Sequence, residues 1–270
     1  MKQYFKRHIA LTSEHGSWVF LFSPLLIGIF AGENFSSISL YLIFAALAGF
    51  FIRQPIIIAV KAYAGRRPRS DLPAARFWIV VYAAIGLLTV VGLVVRGFGY
   101  VLWLAVPGVP VFVWHLFLIS RRAERRQIGV EVVASGVLAL SAPGAYWVGV
   151  GAANSLGWWL WALVWLQSAA SIVYAYLRLD QRQWTESPPV RVRFSQGRRA
   201  LLYTSFNLLG VVILSLMGIL SPWLFLPYLA QWLETLWGTL NPAVGAKPTQ
   251  IGFRQLAVST IFTILFILAW

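Results

Sequence analysis

Predominantly apolar runs of about 18 residues or more recur along this chain, and the core of a water-soluble domain cannot absorb that many. Hydrophobic residues make up 59% of the sequence and charged ones 11%, against the roughly 25% charged residues usual in soluble domains. The pattern predicts a polytopic membrane protein. Runs of this length favour helices, because barrel strands are about ten residues long and alternate with a period of two. Nine segments are read, at roughly 17–31, 38–60, 77–95, 99–119, 129–149, 156–177, 200–220, 222–240 and 251–270. The expectation is an all-α protein of about nine transmembrane helices in a single integral membrane domain over 1–270. Pro24, Pro222 and Pro227 are expected to bend or shorten the first and eighth segments. The first run starts near Trp18, lacks a small-residue cleavage site and is followed by eight more, so it does not read as a cleaved signal peptide.

The net charge of +14 would suggest nucleic acid in a soluble protein, but its distribution argues otherwise. Of the 22 Lys and Arg, all but Arg53 and Arg96 fall at the amino terminus or in alternate connections. Short cytoplasmic loops are the ones enriched in Lys and Arg. The reading is therefore a plasma-membrane protein with its amino terminus inside and its carboxyl terminus outside. Attraction to anionic lipid heads accompanies that topology. The longest polar connection, Asp180 to Arg199, contains Ser187-Pro188-Pro189 and reads as a cytoplasmic loop. The absence of cysteine excludes disulfides, thiolate catalysis and cysteine-ligated metals.

Candidate chemistry clusters at a few places. Arg53, Ile57 and Lys61 are spaced four apart and share one face of a helix. A charge at the centre of a membrane helix costs about 3 kcal/mol even on the lenient insertion scale. Lys61 is close enough to the arginine-rich loop to snorkel, whereas Arg53 sits two turns deeper. Gln54 and Pro55 follow Arg53, and a proline there frees a carbonyl one turn earlier, so a broken helix facing a protein-lined cavity is expected. Glu14 and His15, just before Trp18, form either a helix cap with Ser13 or a His/Glu pair at a cavity mouth. His115 lies in the cytoplasmic half of the fourth segment. Glu131 is expected to be drawn inward and paired with Arg53, Arg125 or Arg126. Tyr174 and Arg178 share one helix face, and Tyr176 and Asp180 another. Glu234 lies deep in its segment with no cation nearby in sequence, so it should be protonated or paired with another helix. The sequence has no HxxxH, HExxH, Walker loop, GxGxxG or GxSxG. No metal site is predicted. The candidate ligand-binding set is Glu14, His15, Trp18, Arg53, Gln54, Lys61, Arg66, Arg67, His115, Glu131, Tyr174, Arg178 and Asp180.

Two resemblances bear on these residues. EHGSWVFLFSPLLIGI, FFIRQP with the arginine-rich loop after it, RRAERR, EVVASGVLALSAPGAYW and KPTQIGFRQLAVS together resemble the YwiC-like family of bacterial integral membrane proteins. That resemblance implies no particular activity. The order of segments, the RRPRSD loop, LALSAPGAYWVGVG and YLRLDQRQW also resemble the UbiA superfamily of nine-helix prenyltransferases. That resemblance implies a UbiA-like bundle in which two acidic motifs hold Mg²⁺ against a diphosphate. Here positions 53, 57 and 61 hold Arg, Ile and Lys where the first motif has Asn, Asp and Asp. At the second, Asp180 stands alone, with Trp184 in place of the next acid. One carboxylate cannot build a magnesium site with several protein oxygens. The reading is a protein binding an isoprenoid or anionic lipid-type ligand in a cytoplasm-facing cavity without a magnesium site. No cofactor is predicted, and Mg²⁺ enters only if the alternative, a UbiA-like prenyltransferase, holds. A further alternative is an accessory subunit of a photosynthetic or respiratory membrane complex that meets quinone or pigment. Membrane lipid is the expected partner and nucleic acid is not.

Overall fold

The computed structural model describes residues 4–11, 15–121 and 127–270. Among these the chain forms eleven α-helices and no strand. They are α1 Arg7–Ala10, α2 Val19–Ala31, α3 Ser37–Tyr63, α4 Leu72–Val95, α5 Ala105–Ser120 and α6 Ile128–Ala139. The chain continues with α7 Ser141–Val150, α8 Ser155–Gln181, α9 Val190–Leu216, α10 Phe225–Leu240 and α11 Pro248–Ala269. Each of the nine apolar segments becomes a helix or a pair of helices. Seven stretches among the described residues are long and apolar enough to cross a bilayer. The first and eighth segments are the short ones, with 13 residues in α2 and 16 in α10. This is an all-helical, multi-pass membrane protein.

Prolines explain several departures from uniform helices. Pro143 has no amide hydrogen to offer Ala139, and the fifth segment divides there into α6 and α7. α10 starts after Pro222 and takes Pro227 into its first turn. Pro55 does not break α3, contrary to the expectation for the residues beside Arg53; the helix runs on to Tyr63 with Pro55 buried within it. Packing around a membrane helix can absorb one lost backbone bond. The Asp180–Arg199 connection is also shorter than its polarity suggests. Pro189 caps α9, which starts at Val190, so half of the supposed loop is helical. Four arginines between 191 and 199 depress the hydropathy of that turn without opposing helix formation.

The chain divides into two compact units, Met1–Trp161 and Ala162–Trp270. In the first, α3 packs along α4, and α2 lies against α7. The α2–α7 approach depends on glycine: a Cβ built at Gly149 would sit 2.8 Å from the Cα of Gly32. Ile9 of α1 is fully buried with Ile58, Ala59, Ala62, Leu72, Ala74 and Ala75. In the second unit α10 packs on α9 and on α11. Tyr228 meets Phe262 edge-on at 5.1 Å, and its hydroxyl donates to the Leu163 carbonyl of α8. Asn207 of α9 and Gln231 of α10 donate to the next carbonyls along α8, those of Leu166 and Gln167. These bonds fix α9 and α10 in register on the polar face of α8.

Candidate functional site

The first unit carries most of the residues singled out from the sequence. Arg53, Gln54, Ile57 and Lys61 are half-buried on α3. The amino-terminal segment is laced onto this helix and α4. Gln54 Nε2 donates to the His8 carbonyl at 3.2 Å, and the Tyr82 hydroxyl to the Ala10 carbonyl at 2.9 Å. Trp78 Nε1 donates to the Tyr4 carbonyl at 3.0 Å. Lys6 Nζ stands 2.8 Å from Oδ1 of Asp71, a buried acid that Arg67 also approaches at 3.5 Å. The Arg66 guanidinium donates to the Ile119 carbonyl in the last turn of α5, where carbonyls lack helical partners. Trp18 stacks on Phe22 and meets Phe50 and Phe51 edge-on. His115 is half-buried on α5. Glu131 is exposed, which corrects the expectation that it is drawn inward. It occupies the first turn of α6, where the helix dipole favours a carboxylate that stays in solvent. Glu14, Arg125 and Arg126 lie outside the described residues. The backbone of His15 opens a 3₁₀ turn to Trp18.

The second unit holds a tighter constellation. Ser171, Tyr174, Arg178 and Gln181 follow one another three or four residues apart on α8, so they share a face, and all four are buried. Arg178 is 7% exposed. Its Nη1 donates to Gln181 Oε1 at 2.9 Å, to the Gly238 carbonyl at 2.7 Å and to the Asn241 carbonyl at 2.6 Å. A cation at the end of α10 is favoured by the helix dipole and by carbonyls that have run out of helical donors. The Tyr174 hydroxyl donates to Glu234 Oε1 at 2.8 Å. Glu234 also receives two bonds from Arg254 of α11, from Nε at 2.6 Å and from Nη2 at 2.7 Å. Such two-point pairs are the stronger kind of charge-assisted contact. The Arg254 guanidinium lies 3.7 Å above the centre of the Trp237 ring. Gly238 is required here, since a Cβ built on it would fall on the Tyr174 hydroxyl. Ser171 Oγ donates to Gln255 Oε1 of α11 at 3.0 Å. Tyr176 is half-buried and Asp180 exposed on the neighbouring face of α8.

A cavity of about 310 Å³ opens beside this constellation, lined by Tyr174, Arg178, Ala243, Ala246, Gln250, Ile251, Arg254 and Gln255. All three acceptors of Arg178 are neutral, so its charge sits buried at the cavity wall with no carboxylate in contact among the described residues. Tyr174 and Arg178 were legible as a pair on one helix face. Arg254 was not singled out, because its place near a basic connection suggested topology alone. The sequence signal for it was indirect: Glu234 lacked a nearby cation and was expected to be protonated or paired with another helix.

The donor set does not fit magnesium. Positions 53, 57 and 61 offer Arg, Ile and Lys, and Asp180 is a single exposed acid. Mg²⁺ takes oxygen ligands in octahedral geometry. Among the described residues no three Asp, Glu or His gather at one place.

The helical bundle shares its fold with a solved membrane protein. A solved structure described as digeranylgeranylglyceryl phosphate synthase in membranes matches with a TM-score of 0.58, at 12% identity. The match covers 99% of this chain and 97% of the other. The chain belongs to the YwiC-like protein family, whose profile matches residues 11–146. No curated protein matches it in sequence.

Proposed function

We propose that this protein binds an anionic amphipathic lipid, isoprenoid or otherwise, and holds its head group in the cavity of the second unit without a magnesium site. The observation that carries this reading is Arg178. A guanidinium 7% exposed makes its hydrogen bonds to neutral acceptors at a cavity wall, and the nearest acid, Glu234, stands beyond Tyr174. Buried charges are normally paired, and an uncompensated one is costly. Arg254 lines the same cavity, so an entering anion meets two guanidinium groups. Phosphate and carboxylate heads match that planar donor geometry. The cavity lies at the end of α8 and the start of α11, beside connections rich in Arg and Lys, which supports an opening to the cytoplasm. The same distribution supports a plasma-membrane location with the amino terminus inside.

Native mass spectrometry of protein released from mild detergent tests this reading. Wild type should carry a co-purified anionic lipid, and Arg178→Gln should lose at least tenfold of it while remaining folded. Equal lipid in both would overturn the proposal. The fold match favours one other reading, a prenyltransferase. Turnover of an allylic diphosphate by the purified protein, abolished by a chelator, would establish it.

A further inference from the structure

The arginines in the first turns of α9 are divided between two tasks. Arg193 turns onto the bundle: its Nε donates to the Pro188 carbonyl at 2.6 Å and its Nη1 to the Leu240 carbonyl at 2.8 Å. Gly197 is buried on that side, where a Cβ would fall 2.5 Å from the methyl of Thr239 on α10. Arg191 and Arg198 stand on another face, seven residues and so about two turns apart. Both are exposed, and both line a shallow groove of about 370 Å³. Phe194 and Ser195 lie between them in the same lining. Leu201 and Leu202 continue it toward the middle of α9. The groove ends at Ser205, whose hydroxyl accepts from Nε1 of Trp232 on α10 at 2.9 Å. Among the described residues no acid lines this groove, and Glu186, the nearest in sequence, is exposed in the connection before α9.

The stripe changes character where the helix enters lipid. The 27 residues of α9 rise about 40 Å, against a hydrocarbon core of about 30 Å. About 10 Å of the helix therefore stands beyond the hydrocarbon, and the arginine-rich turns are the part that can do so. This puts Arg191 and Arg198 at the level of the head groups and Leu202, which is 59% exposed, against acyl chains. A basic end joined to an apolar end on one helix face is complementary to an anionic amphipath in both charge and polarity. We propose that this groove is a second lipid site. It holds an anionic glycerophospholipid of the surrounding bilayer, its phosphate between Arg191 and Arg198 and a chain along Leu201 and Leu202. The groove shares no lining residue with the cavity beside Arg178. It is open along its length, so its lipid exchanges with the bilayer and is stripped by detergent, and it must be read out in a membrane.

The chain has no cysteine, so Phe206→Cys supplies a single labelling position, 67% exposed, one turn beyond Leu202 and outside the groove lining. The full-length protein carrying bimane there is reconstituted into phosphatidylcholine vesicles with a minority of phosphatidylglycerol. Brominated chains, which quench the label on contact, are placed on one lipid or the other. Molecule for molecule, brominated phosphatidylglycerol should quench at least threefold more strongly than brominated phosphatidylcholine. Arg191→Gln/Arg198→Gln should bring that ratio to about one, and Arg198→Gln alone should lose at least half of the preference. Arg199→Gln removes the same charge one residue away, from an exposed arginine outside the groove, and should keep the preference. Arg178→Gln should keep it too, which separates this site from the cavity. Equal quenching by the two lipids in the otherwise wild-type protein overturns the groove site, whether or not the double variant folds. A preference that falls as far in Arg199→Gln as in Arg198→Gln reduces it to unspecific charge attraction and also overturns the site. Its loss in Arg178→Gln would do the same, by assigning the signal to the cavity.

Discussion

Two charges, Asp71 in the first unit and Arg178 in the second, are buried with different kinds of partner. In the first unit Lys6 and Arg67 converge on the buried carboxylate of Asp71, and Arg66 closes the end of α5. Those charges fasten the amino-terminal segment and the arginine-rich turn to the helices beneath. In the second unit Arg178 is more deeply buried than those cations, yet among the described residues its hydrogen-bond acceptors are all neutral oxygens, and a cavity opens beside it. The abundance of arginine in a stretch of sequence therefore says little about where a ligand goes. What marks the proposed site is a buried cation whose hydrogen-bond acceptors are all neutral.

Three substitutions test that contrast, each read out by both thermal stability and retained lipid. The largest effect is expected from Gly149→Val, which drives a side chain into the Gly32 backbone. Overpacking of this kind should destabilise by about 3 kcal/mol, seen as a lower melting temperature. Lipid per folded molecule should be unchanged, because the lesion lies wholly in the first unit. Asp71→Asn comes next. It removes the buried partner of Lys6 and Arg67, and a loss of about 2 kcal/mol is expected, below the 3–5 kcal/mol of a fully buried pair because Lys6 is partly exposed. Retained lipid should again match wild type; a large loss would move the ligand toward the first unit and break the contrast. The smallest effect is expected from Tyr82→Phe, which deletes the hydroxyl bond to Ala10. Side-chain hydrogen bonds in membrane bundles average about 0.6 kcal/mol, so the change should show as faster proteolysis of the amino-terminal segment with little change in melting.

The apolar periodicity made the helices legible, since a stretch that must satisfy its backbone in lipid has few alternatives to a helix. Their ends were harder. α9 begins ten residues before its apolar run because arginine lowers hydropathy while remaining a good helix former. Pro55 looked like a break, and packing absorbed it. At the site, Tyr174 and Arg178 could be paired from their spacing on α8. That Glu234 would be either protonated or paired with another helix could also be read, and Arg254 supplies the pairing. The partner's identity could not be read, because it depends on how α10 and α11 lie together, which no local pattern encodes. Glu131 was misjudged for a related reason: nearness to an apolar run does not say which way a first-turn residue points.

The most direct measurement compares lipid bound to wild type, to Arg178→Gln and to the double variant Arg53→Gln/Lys61→Gln, by native mass spectrometry on equal amounts of folded protein. If the cavity of the second unit holds the head group, Arg178→Gln loses at least tenfold of the lipid, and the double variant stays within about twofold of wild type. The reverse pattern, with lipid lost from the double variant and kept by Arg178→Gln, would place the head group on α3 and contradict the account.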